Sequence, residues 1–82
     1  MTKAETFELV KTFLVESFEL DPAVVVPTAH LIEDLDLDSI DAIDLAVVLE
    51  ERTGLGVTEQ ELIQIRVVQD VVDLILRKQR AD

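Results

Sequence analysis

The stretch from Asp34 to Thr53 reads DLDLDSIDAIDLAVVLEERT, and the fold turns on how it is read. Its opening alternates carboxylate with leucine through Asp34, Asp36 and Asp38. From Ser39 onward the apolar residues take the three-and-four spacing of an amphipathic helix, which Gly54 stops in the left-handed region. The predicted helix runs from Asp38 or Ser39 to about Thr53. Turning about 100° per residue from Ile40 puts Ala42, Leu45, Ala46 and Leu49 on one side, where they should meet a core. Ile40, Ile43 and Val47 fall on the opposite side, with Asp44 and Glu51 along one edge and Glu50 along the other. An apolar strip bordered by carboxylates suits a helix that docks into a basic-rimmed groove, unless the loop before it covers the strip.

The neighbouring segments read as helices too. Thr2 and Glu5 stand at capping-box spacing, and Phe7, Val10, Leu14 and Phe18 then recur along one face, with Leu9, Phe13 and Val15 widening it. A first helix from Thr2 to about Phe18 follows. On the far side, Thr58 and Glu61 repeat the capping-box spacing and open a helix of about two turns through Leu62 and Ile63. Val68, Val71, Val72, Ile75 and Leu76 form the core stripe of a last helix running to about Arg80, with Arg77, Lys78 and Arg80 in its final turn to complement the dipole.

Between the first and second helices the period fails, and Asp21-Pro22 and Pro27 mark turns. A connection this long should hold structure of its own. We expect one turn after Asp21 with Pro22 as its first residue, and another near Leu31 to Asp34. Val24, Val26, Leu31, Ile32 and Leu35 are the residues available to tack the loop onto the bundle. The fold class is therefore all-α: a small four-helix bundle of three longer helices and one short one, with a long loop between the first two, in a single domain over residues 1–82.

The chain has 82 residues, no cysteine and a net charge of −11. There is no disulfide framework or thiolate metal site to consider. Such charge opposes nucleic acid and anionic membranes and favours basic protein partners; it also keeps a small protein monomeric. Eight acidic residues, Glu33, Asp34, Asp36, Asp38, Asp41, Asp44, Glu50 and Glu51, follow one another with no Lys or Arg among them. No apolar run is long enough to span a bilayer, which leaves the cytoplasm as the expected location.

Ser39 is the residue in this stretch that could carry chemistry. If Asp38 takes the single N-cap position, the Ser39 hydroxyl is free. Nothing nearby activates it as a nucleophile, since the one histidine, His30, lacks an orienting carboxylate and an oxyanion site in the pattern and reads instead as a ring that satisfies a turn. No catalytic residue is assigned, and a covalently used Ser39 must be modified by another enzyme. Asp34, Asp36 and Asp38 match positions 1, 3 and 5 of a calcium loop, but Ser39 replaces the glycine at position 6 and Leu45 the glutamate at position 12, so no metal site is assigned.

The octet Asp34 to Asp41, DLDLDSID, resembles the D-S-L region of acyl carrier proteins. The likeness extends to the loop AHLIEDL before the serine, to LEE at Leu49 to Glu51 and to VQDVVDLI near the end. By that resemblance Ser39 bears 4′-phosphopantetheine, transferred from coenzyme A by a separate magnesium-dependent phosphopantetheinyl transferase. The thiol of the arm would carry acyl groups as thioesters between acyl-transfer, ketosynthase, reductase and dehydratase enzymes with basic docking patches. Asp38 would contribute to transferase recognition, and Ile40, Asp41, Asp44, Val47, Glu50 and Glu51 match the docking helix, with Ile43 in the same apolar strip. The aliphatic interior could shelter an acyl chain.

The sequence departs from the family pattern at four places. Ile40 stands where leucine is commoner, Asp36 where glycine is frequent, Arg52 within a run that is often acidic, and Val67 where threonine often caps the last helix, a loss of about 1 kcal/mol. These departures suggest a dedicated polyketide or polyene route in place of housekeeping fatty acid synthesis. Two alternatives stand beside this expectation. A peptidyl or aminoacyl carrier usually has glycine and histidine before the serine, where this chain has Leu37-Asp38. An acidic helical adaptor would bind partners with no prosthetic group and would not need Ser39.

Overall fold

The computed structural model describes residues 2–80, apart from the side chain of Arg80. Four α-helices make up the described residues: α1 (Lys3–Phe18), α2 (Ser39–Thr53), α3 (Glu59–Gln64) and α4 (Val68–Arg80). No strand occurs among them, although His30 and Val67 form one isolated antiparallel bridge. The fold is the expected all-α bundle of three longer helices and one short one.

Three of the four helices start on reciprocal capping boxes. Thr2 with Glu5, Asp38 with Asp41 and Thr58 with Glu61 each exchange side-chain and backbone hydrogen bonds that satisfy N–H groups left free at a helix start. Gly54 stops α2 with φ 74°. Glu19 closes α1 in the same left-handed region, at φ 54°, without a glycine's freedom.

The start of α4 is built differently. Val67 has no side-chain oxygen to offer, but the long loop supplies acceptors: the Val68 N–H donates to the Ala29 carbonyl (3.0 Å) and the Gln69 N–H to that of Pro27 (2.9 Å). The Asp70 carboxylate accepts from the N–H groups of Arg66 (3.0 Å) and Val67 (3.1 Å). The weakness expected of this helix start is thus offset by partners distant in the chain.

The same contacts pin the loop. One 3₁₀ turn, Pro22–Val24, is capped by Asp21, whose carboxylate accepts from Ala23 N–H (2.9 Å), as the Asp-Pro pair implied. Further on, the chain turns through 31–35, with the Asp34 and Leu35 N–H groups both donating to the His30 carbonyl. The His30 ring does what the sequence suggested: its Nδ1 accepts from the N–H groups of Ile32 and Glu33, each at 3.2 Å. Leu31 and Leu35 reach the core, but Val24, Val26 and Ile32 remain largely exposed. Val25, Ala29 and Leu37 take the anchoring role, because the 3₁₀ turn rotates the chain and aims Val25 inward.

The core lies between α1 and α4, which pack together more extensively than any other pair of helices, and is completed by Leu45 and Leu49 of α2 and by the loop leucines. Val10, Leu14, Val68, Val71 and Val72 have no accessible surface. Val67, by contrast, needs no cap of its own, and Lys78 does more than complement the α4 dipole: it bonds Glu61 of α3 at 2.8 Å.

Candidate functional site

Asp38 is the N-cap of α2, and its side chain accepts from the Asp41 N–H at 2.9 Å. In return the Asp41 carboxylate accepts from the Asp38 N–H at 3.1 Å. Both acids are engaged in ordering the helix start, so Asp41 serves the fold as well as the surface. Ser39 is left as the first helical residue, exposed, with no hydrogen bond to its hydroxyl among the described residues. The capping role that would have occupied the serine is filled by its neighbour.

The strip along α2 is uncovered. Ile40 is 69% exposed, Ile43 55% and Val47 48%, so the loop does not roof them. Asp44, Glu50 and Glu51 are exposed on the same helix. Leu45 and Leu49 are buried as read, while Ala42 and Ala46 are half-buried, which makes the core stripe of α2 narrow. Arg52 turns toward α1, with its guanidinium carbon 5.6 Å from the centre of the Phe13 ring and its Nη2 3.8 Å from Glu16 Oε2. Its charge is partly spent on α1.

A cavity of about 270 Å³ opens beside Ser39. Leu37, Ala42, Ile43 and Leu45 form one side, Leu31 and Ile32 of the loop another, and Glu59, Leu62, Ile63 and Ile65 the third. Apart from Asp38, Ser39 and Glu59, the lining is aliphatic. The family resemblance implied an aliphatic interior able to shelter an acyl chain, but sequence reading named none of its lining: it gave Leu31 and Ile32 to anchoring the loop and Leu62 and Ile63 only to a short helix. A signal was present: Leu62 and Ile63 are the only apolar residues of the six-residue α3, too few to build a core stripe of their own.

The alternating acids Asp34 and Asp38 are engaged in separate backbone hydrogen bonds. Asp34 Oδ2 accepts from the His30 N–H (2.7 Å) and Asp38 Oδ1 from that of Asp41, and among the described residues no three acidic or imidazole side chains are placed to hold a metal ion. Asp36 sits between them at φ 59°. That left-handed conformation explains why glycine suits the position, and aspartate tolerates it better than most residues.

Glu61 has the most strongly displaced acidity. The Lys78 ammonium bonded to it, together with the Thr58 N–H, holds its carboxyl at about 2 against an ordinary 4.5. No helix among the described residues is long and apolar enough to cross a membrane.

A family model described as the phosphopantetheine attachment site matches residues 8–75. Over 75 residues the chain is 47% identical to acyl carrier protein 2 of Ralstonia nicotianae, covering 92% of this chain and 93% of that one. It is 38% identical over 78 residues to an acyl carrier protein of Thermosynechococcus vestitus, covering 95% and 96%. With an acyl carrier protein of Petrotoga mobilis the identity is 35% over 82 residues, covering 100% and 96%.

Proposed function

Since this chain belongs to the acyl carrier protein family, whose phosphopantetheine attachment domain it contains, we propose that Ser39 is the residue that bears the 4′-phosphopantetheine. The observation that carries this reading is the free hydroxyl at the head of α2, beside the cavity and relieved of capping by Asp38. The residues present fit the group. At the start of α2 the first amides have no intrahelical acceptor, and the helix dipole favours a phosphodiester there. The aliphatic cavity next to it offers cover to an apolar chain. When attached, the group supplies a thiol on a flexible arm, the atom to which acyl groups are joined.

The chain's own residues present that arm. Asp38 and Asp41 fix the helix start that exposes Ser39. Ile40, Ile43 and Val47 give a partner apolar contact area, and Asp44, Glu50 and Glu51 steer basic patches toward it and let them leave again. The partners we infer are a separate phosphopantetheinyl transferase and acyl-transfer, ketosynthase, reductase and dehydratase enzymes of fatty acid, polyketide or related polyene biosynthesis. The chain works as one non-catalytic, monomeric carrier domain over residues 1–82, in the cytoplasm, where its coenzyme A donor is available. An adaptor with no prosthetic group would leave both the family match and the free hydroxyl without a purpose.

Incubation with coenzyme A, magnesium and a broad-specificity phosphopantetheinyl transferase tests the assignment. Intact mass should show one phosphopantetheine added to the native chain and none to Ser39→Ala; addition that survives the substitution would refute it. Reversing charge at Asp44 and Glu51 should slow acyl transfer by partner enzymes at low salt while the helical content stays unchanged. Equal rates would reduce the acidic strip to a solubility device.

A further inference from the structure

The six-residue α3 is too short to be stable alone, and it buries none of its residues fully. Its Ile63 is 73% exposed, and Leu62 faces the cavity beside Ser39 in place of the core. Little apolar burial therefore holds this helix. Among the described residues, what ties it to α4 by a charged contact is one ion pair, Lys78 Nζ to Glu61 Oε1 at 2.8 Å, with each side chain only about a quarter exposed (23% and 25%). The same Glu61 oxygen accepts from the Thr58 N–H at 2.9 Å, so a single carboxylate both starts α3 and anchors it to α4.

The cavity is unequal on its two sides. Leu31, Leu37 and Leu45 belong to the buried core and are held by it, whereas Glu59, Leu62 and Ile63 move with α3. We propose that the Lys78–Glu61 pair is a latch that sets the position of α3 and thereby the closure of the cavity beside Ser39. Lys78 and Glu61 are positioning residues in this account. Neither touches the cavity, and both act through the helix that lines it. The role of the cavity as cover for an apolar chain rests on the carrier reading; the latch itself does not.

The test uses the full chain in two forms. On the unloaded chain, Glu61→Gln keeps a capping side chain but removes the charge, Lys78→Gln removes the cation, and Lys78→Arg retains it. Both glutamine variants should raise amide hydrogen exchange in 59–64 by roughly tenfold while α1 keeps its protection, and Lys78→Arg should stay near the native rate. Unchanged exchange in α3, or a uniform rise in every helix, would overturn the latch, the latter because the pair would then support the whole fold. On chain loaded with an octanoyl group, the thioester should be cleaved faster by hydroxylamine in Glu61→Gln than in the native form. Faster α3 exchange with unaltered cleavage would overturn the link between latch and cavity. It would leave the loading of Ser39 intact, because loading is read separately by mass.

Discussion

Helices α2 and α4 are similar in length and both rich in aliphatic residues, yet they spend that surface differently. From 13 residues α4 buries Val68, Val71, Val72, Leu74 and Ile75, while from 15 residues α2 buries only Leu45 and Leu49 and leaves Ile40, Ile43 and Val47 largely in water. Their beginnings differ in the same sense. The start of α4 is closed by the Ala29 and Pro27 carbonyls and the Asp70 carboxylate, and that of α2 is capped by its immediate neighbours and stands open at Ser39. Burial that folding could have used has been forgone on one helix. Apolar surface left exposed in a row and fringed by acid is suited to contact with another molecule, as proposed for this helix.

Matched substitutions on the two helices put this contrast at risk. Ile75 is 3% exposed and Ile43 55%, so Ile75→Ala should cost about 2–5 kcal/mol in urea unfolding and Ile43→Ala less than about 0.5 kcal/mol. Comparable losses would mean that the α2 strip contributes to the core after all. The helix starts should respond next. Asp38→Ala removes a cap that nothing else replaces and should cost about 0.5–2 kcal/mol, whereas Val67→Thr, which restores a capping side chain to α4, should gain less than about 0.5 kcal/mol because the loop already fills that place. A full gain from Val67→Thr would show the loop contacts to be weak.

The smallest global effect is expected from acid, and it should be local. Glu61 titrates at about 2 in the folded chain against 4.5 ordinarily. Its folded value is depressed, so its contribution is complete above the unfolded value and is lost as pH falls through the folded one. Protonation of the other carboxylates over this range relieves the self-repulsion of a chain of net charge −11, which acts in the opposite direction. Amide resonances of 59–64 should therefore shift with a midpoint near 2 while α1 holds. A midpoint at the ordinary value of 4.5 would mean that Lys78 does not engage Glu61 in solution.

What could be read from the sequence was whatever is local. The Thr2–Glu5 and Thr58–Glu61 boxes, the Asp21-Pro22 turn, the Gly54 stop and the His30 turn cap each depend on residues within a few positions, and all appear in the fold. The two faces of α2 were also legible, since helical period fixes them. Features joining distant segments were not. Nothing near Val67 signals that Ala29 and Pro27 will cap α4, and nothing near Lys78 points to Glu61. The loop anchors slipped from Val24 and Val26 to Val25 because a three-residue 3₁₀ turn resets the direction of every side chain after it. The place and lining of the cavity were hidden for the same reason: three separate segments form it, and no one of them marks it alone.

The reading of α2 as the presenting helix stands or falls with what Ser39 carries in the cell. Protein isolated from its own cells, measured intact and then by fragment-ion mass spectrometry, should carry one phosphopantetheine on the peptide containing Ser39. A chain that is unmodified, or modified at any other residue, would contradict the account.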